Sequence, residues 1–141
     1  MQVNSIITKP INQNKMKQIV YNSVTCQECS ETIVSYHRHD YKTCSCPNEA
    51  MVDGGTEYLR YGAKYMNKIK LFAVYDDDDF EIVREYATRG SRGKDGDKPL
   101  SYIAIRDMDD EYLEAVLEYG GADWHLNLIK KEIEYRRNAN T

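Results

Sequence analysis

The first seventeen positions show no hydrophobic period. Residues 1–17 are polar and mixed, with Pro10 and three asparagines, which predicts a flexible leader and no element. From position 18 to 24 strand-forming residues lead into Cys26, and residues 32–36 form a second β-branched run just after Cys29, so the pair reads as a β-hairpin. Asp53, Gly54 and Gly55 supply a turn. Ile69, Leu71, Ala73 and Tyr75 alternate with Lys70, Phe72 and Val74, which predicts a longer, mostly apolar and buried strand.

The period then changes. Four aspartates at 76–79 are placed to cap a short helix through Ile82, Val83 and Tyr86; the spacing of a calcium loop is missing. A glycine-rich loop covers 90–99, and residues 101–105 read as a strand. Aspartates at 107, 109 and 110 start a helix with Leu113, Val116 and Leu117 on its apolar face, and Gly120 and Gly121 end it. The last helix is predicted over 123–137, with Leu126, Ile129 and Ile133 on one face and Trp124, Leu128 and Tyr135 beside them. The expected class is α+β: a zinc-ribbon-like β module over 18–68, then a small antiparallel sheet with a C-terminal helical hairpin over 69–141.

Composition narrows the function. At 141 residues, 41% hydrophobic and 30% charged, the chain is expected to fold and stay soluble. No apolar run approaches the length of a membrane span, and residues 1–10 lack the apolar core of a signal peptide, so a cytoplasmic protein without a membrane partner is expected. Net charge is unevenly spread. Residues 1–70 carry 9 basic and 6 acidic side chains, whereas 71–141 carry 10 and 17, which argues against non-specific wrapping of DNA. Between Arg84 and Arg106 lies a basic island: Arg84, Arg89, Arg92, Lys94, Lys98 and Arg106 against Glu85, Asp95 and Asp97.

All four cysteines fall in one window as Cys26-x2-Cys29 and Cys44-x-Cys46. Each pair sits where a strand turns back, and two such turns complete a tetrahedron of thiolates around one zinc ion. Four ligands leave no open position, so such a metal builds shape and activates no water. The competing readings are two disulfides or four free thiols, and His37 or His39 in place of one sulfur. In the Gly90–Pro99 loop, glycines at spacing three stand among Arg89, Arg92, Lys94 and Lys98. Glycine lets backbone approach a phosphate and guanidinium groups grip its oxygens, though an ordinary solvated loop has the same composition; the P-loop and dinucleotide spacings are absent. No nucleophile stands with a matched base, so a binding protein is expected rather than an enzyme.

Two stretches carry a family resemblance. Tyr36-His-Arg-His-Asp-Tyr-Lys-Thr-Cys-Ser-Cys, followed by Val52-Asp-Gly-Gly-Thr-Glu-Tyr-Leu-Arg, resembles a zinc-ribbon domain of unknown function found in small phage proteins. Gly90-Ser-Arg-Gly-Lys-Asp-Gly-Asp-Lys-Pro-Leu, with Asp107-Met-Asp-Asp-Glu-Tyr-Leu and Glu132-Ile-Glu-Tyr-Arg, resembles a second module of phages of Gram-positive bacteria. That module is similar in outline to the first family of anti-Thoeris sponges, phage counter-defence proteins that sequester cyclic ADP-ribose-type immune signals without turnover. The resemblance implies a homo-oligomer in the host cytoplasm, with Arg89, Arg92, Arg106, Arg136 and Tyr102 toward the anionic cyclic nucleotide. An alternative is an adaptor whose zinc ribbon grips a host defence protein or a nucleic acid.

Overall fold

The computed structural model describes residues 5–10 and 17–140. The chain is α+β and divides into two compact units, Met1–Asp77 and Asp78–Thr141. Among the described residues no helix is long and apolar enough to cross a membrane.

Among the described residues the first unit is β apart from one 3-10 turn, Met66–Lys68. Its strands are β1 (Ser5–Pro10), β2 (Ile19–Cys26), β3 (Thr32–Val34), β4 (Lys42–Thr43), β5 (Met51–Asp53), β6 (Tyr58–Ala63) and β7 (Ile69–Tyr75). One antiparallel sheet runs β1-β6-β5-β4 and the other β3-β2-β7. Val24, Cys26, Ile33, Cys44, Ala50, Val52 and Ala63 form a single buried cluster drawn from both sheets, so two of the cysteines belong to the core itself. The buried Asn22 amide on β2 donates to the carbonyls of Asp53, Gly55 and Tyr58, tying that sheet to the turn between β5 and β6. The turn has the predicted residues for a steric reason. At Gly55, φ is +52° and a Cβ would stand 2.3 Å from the His37 backbone.

Three expectations change here. Part of the stretch read as a leader, Ser5–Pro10, is a strand paired with β6, while residues 1–4 and 11–16 lie outside the described residues. The strand at 69–75, assigned from the sequence to the second module, pairs with β2 from Ile19↔Tyr75 to Cys26↔Ile69 and belongs to the first unit. It is also less buried than its composition implies. As an edge strand it has one neighbour, so only Val74 is buried and Phe72 remains 40% exposed.

The second unit begins with α1 (Phe80–Tyr86), whose first turn is capped by the Asp79 carboxylate accepting from the Glu81 N–H at 3.1 Å. Strands β8 (Thr88–Ser91) and β9 (Ser101–Ala104) form an antiparallel hairpin around the basic loop. A 3-10 turn, Ile105–Asp107, leads to α2 (Asp110–Tyr119), capped by Asp109, which accepts from the Tyr112 N–H at 2.7 Å. The chain turns at Gly120 and Gly121, both at positive φ, into α3 (Asp123–Ala139).

The buried stripe of α3 is His125, Leu128, Ile129 and Glu132, while Leu126 and Ile133 are half-buried. The stripe is rotated from the apolar one expected because Glu132 is neutralised where it is buried. Arg84 grips it with two hydrogen bonds, Nε to Oε1 and Nη2 to Oε2, each 2.8 Å, and Arg136 adds Nε to Oε2 at 2.7 Å. Val83, Ala87, Ile105, Met108, Leu113 and Val116 complete this core.

Candidate metal centre

Cys26 ends β2 and Cys29 lies in the turn that follows; Cys44 directly follows β4 and Cys46 lies in the turn before β5. Each turn is closed by backbone hydrogen bonds. In the first, the Cys26 N–H donates to Glu31 O at 2.9 Å and Ser30 takes a left-handed φ of 63°. In the second, the Cys44 N–H donates to Ala50 O at 2.9 Å, the Glu49 N–H donates to Cys46 O at 3.0 Å, and Glu49 has φ 52°. Pairing of β2 with β3 and of β4 with β5 thus presents both knuckles to one point.

The four Sγ atoms all lie within 4.8 Å of one another, and the thiols are free. Four sulfurs held about 2.3 Å from a central ion would stand about 3.8 Å apart. Cys26 and Cys46 are at 3.5 Å and Cys44 and Cys46 at 3.7 Å, two separations close to those around one tetrahedral ion. Sulfurs 3.5 Å apart are far from disulfide bonding distance. The arrangement is placed to hold a metal ion, and the metal would have four soft thiolate ligands and no vacant position.

N–H groups face the sulfurs. The Ala50 N–H points at Cys44 Sγ at 3.2 Å, and the Asn48 side-chain amide at Cys26 Sγ at 3.7 Å. Burial opposes charge on Cys26, but the N–H groups of Cys29 and Glu28, with Asn48 and Cys46, bring its pKa down to about 6. At Cys46 the Asn48 N–H favours the thiolate, yet burial and the three neighbouring thiols outweigh it and push the pKa up to about 12. The Glu31 N–H likewise favours the Cys29 thiolate, but burial and the Cys26 and Cys44 thiols push this group upward too. One thiolate forms readily and its neighbours then resist, a conflict that a bound cation removes.

Among the described residues the ligating group contains neither histidine. The His37 ring faces Asp40 at 3.9 Å and the Arg38 carbonyl at 3.1 Å; His39 Nδ1 meets the Tyr58 hydroxyl at 2.9 Å. Asn48 is the residue that sequence reasoning missed. Only 4% exposed, it touches Cys26 and accepts the Tyr65 N–H at 2.7 Å, locking the second knuckle to the chain just after β6. Its place two residues after Cys46 is the one signal that pointed to it.

The expected ligand-binding residues all lie in the second unit but differ in what they do. Arg89 stands on β8, Arg92 and Lys94 in the loop, and none of the three forms an ion pair among the described residues. Tyr102 on β9 lies opposite Gly90, where an added Cβ would meet its ring at 3.0 Å. Arg106 reaches Glu85 at 3.8 Å and Asp107 at 3.7 Å. Arg136 is tied internally. Besides Glu132 it reaches Asp110 at 2.8 Å and the carbonyls of Ile105, Arg106 and Met108 at 3.3, 3.2 and 2.6 Å, so its donors already serve the junction of α2 and α3.

Residues 18–63, the stretch holding all four cysteines, match a family model described as a domain of unknown function (DUF7695). No curated protein and no solved structure matches the chain.

Proposed function

We propose that the chain is a binding protein in which a zinc ion staples the first unit and the basic hairpin of the second captures an anionic cyclic nucleotide without turnover. In a phage this would be a counter-defence sponge, working as a homo-oligomer in the host cytoplasm. The observation that carries the reading is the division among the basic residues. Arg84, Arg106, Arg136 and Arg137 have carboxylate partners, whereas Arg89, Arg92 and Lys94 have none among the described residues. Cations left without carboxylate partners around a glycine-bearing hairpin are available to phosphate oxygens. Zinc is favoured because four thiolates in a tetrahedron suit it and leave no place for a reacting water, which also argues for binding over catalysis.

Native mass spectrometry tests the metal: one zinc per chain is expected, and a fully folded metal-free chain removes it. Calorimetry with cyclic ADP-ribose isomers and cyclic oligonucleotides tests the ligand. Saturable heat that is lost in Arg89→Ala/Arg92→Ala supports the capture reading, and no heat with any of them defeats it.

A second reading has its own support. An open groove of about 600 Å³ runs beside Cys44 and Cys46, with Ile6, Tyr41 and Met51 among its walls. Ile6 and Tyr41 are 56% and 55% exposed, a surface suited to a protein partner. An adaptor using this groove would retain a host protein in co-purification, and Tyr41→Ala would release it.

A further inference from the structure

We propose that Arg89, His125 and the turn at Gly120 and Gly121 form a subsite for the phosphate group of a nucleotide. The inference rests on the capture reading above and gives it a location within the second unit.

Arg89 is half-buried on β8. Its guanidinium lies over the Tyr119 ring at 5.7 Å from the centroid, and a Cβ on Gly121 would stand 3.7 Å from its Nη1, so it rests against the turn that enters α3. A guanidinium drawn partly out of water without a carboxylate leaves donors that an external anion can satisfy.

His125 supplies the independent observation. It is 7% exposed, and its Nε2 is one of two buried side-chain polar atoms among the described residues that have no hydrogen-bond partner. A buried polar atom without a partner is costly, and native structures keep such atoms chiefly where a ligand, ion or water completes them. The ring stands edge-on to Trp124 at 5.5 Å and belongs to the first turn of α3, four residues on from the Gly121 against which Arg89 rests. A neutral imidazole can donate Nε2–H to an oxyanion that a guanidinium also grips.

The backbone contributes a third donor set. Ala122 at the start of α3 provides no side-chain cap, so the N–H groups of Asp123 and Trp124 remain for an acceptor, while that of His125 donates to the Ala122 carbonyl at 3.0 Å. Asp123 in that first turn is exposed, where solvent screens its repulsion of a second negative group. Tyr119, 86% exposed, offers its ring beside the guanidinium, which suits a base attached to the phosphate.

The test uses the full chain, with adenosine monophosphate and inorganic phosphate as probes and NMR of the His125 imidazole as readout. Both probes should shift the His125 resonance and leave His37 and His39 still. Arg89→Ala should weaken both at least tenfold. Tyr119→Ala, at a position too exposed to disturb folding, should weaken the monophosphate severalfold and spare inorganic phosphate. Should Arg89→Ala not fold, Arg89→Lys must still weaken both probes. A silent His125 at saturating monophosphate, or an unchanged affinity in the Arg89 variant, overturns the subsite. If a cyclic nucleotide still gives heat in that case, the capture reading survives alone; no binding of any anion removes both.

Discussion

Glu132 is fully buried between Arg84 and Arg136, and its ionisation depends on them. Burial pushes its carboxyl upward, but the hydrogen bonds and charges of the two arginines win and hold it below the ordinary carboxylate value. Glu132→Gln should therefore cost about 3 kcal/mol, because it leaves the Arg84 guanidinium without its carboxylate while Arg136 keeps Asp110, and a urea titration will read the loss. His125 lies the other way. Burial first, and then Arg89, bring its pKa down from 6.5 to about 4. Between those values the unfolded chain binds a proton that the folded chain lacks, so stability is complete above 6.5 and falls as pH drops toward 4, by roughly 2–3 kcal/mol. A further loss begins below the ordinary glutamate value as Glu132 protonates. Trp124, the single tryptophan, sits beside His125 and makes fluorescence a reporter of this unit. Denaturation at pH 7.5 and at 5 should differ in the natural chain and converge in His125→Leu.

The knuckles and caps carry the predictions for single elements. Asn48→Ala removes the amide that faces Cys26 and the acceptor of the Tyr65 N–H. A loss of about 1–3 kcal/mol is expected, together with faster metal transfer to a competing chelator. At Gly55 alanine would place its Cβ 2.3 Å from the His37 backbone at a positive φ, so Gly55→Ala should cost more than about 2 kcal/mol in a thermal melt. Asp109→Ala removes only the cap of α2 and should cost about 1 kcal/mol in the same measurement.

At the scale of the molecule, the two units have separate cores, and only the first contains the cysteine cluster. Two of the seven residues in its buried cluster around Val24 are cysteines, and the other two cysteines pack against that cluster. A chelator should therefore unfold the β unit while the helical circular dichroism of the second persists. Loss of both signals together would show that the second unit depends on the first.

The local signals were readable from the sequence because local chemistry produces them. The cysteine spacing, the Asp53-Gly54-Gly55 turn, the aspartate caps and the glycines that separate α2 from α3 each act within a few residues, and the α+β class follows from the change of period. Tertiary structure alone decided the rest. The pairing of β7 with β2 and of β1 with β6 joins segments far apart in sequence, and no period along either strand names its partner. The rotation of the α3 stripe toward Glu132, and the division of the arginines into paired and unpaired, depend on which charges meet in space. A charged residue reads as exposed until its counter-charges are placed beside it.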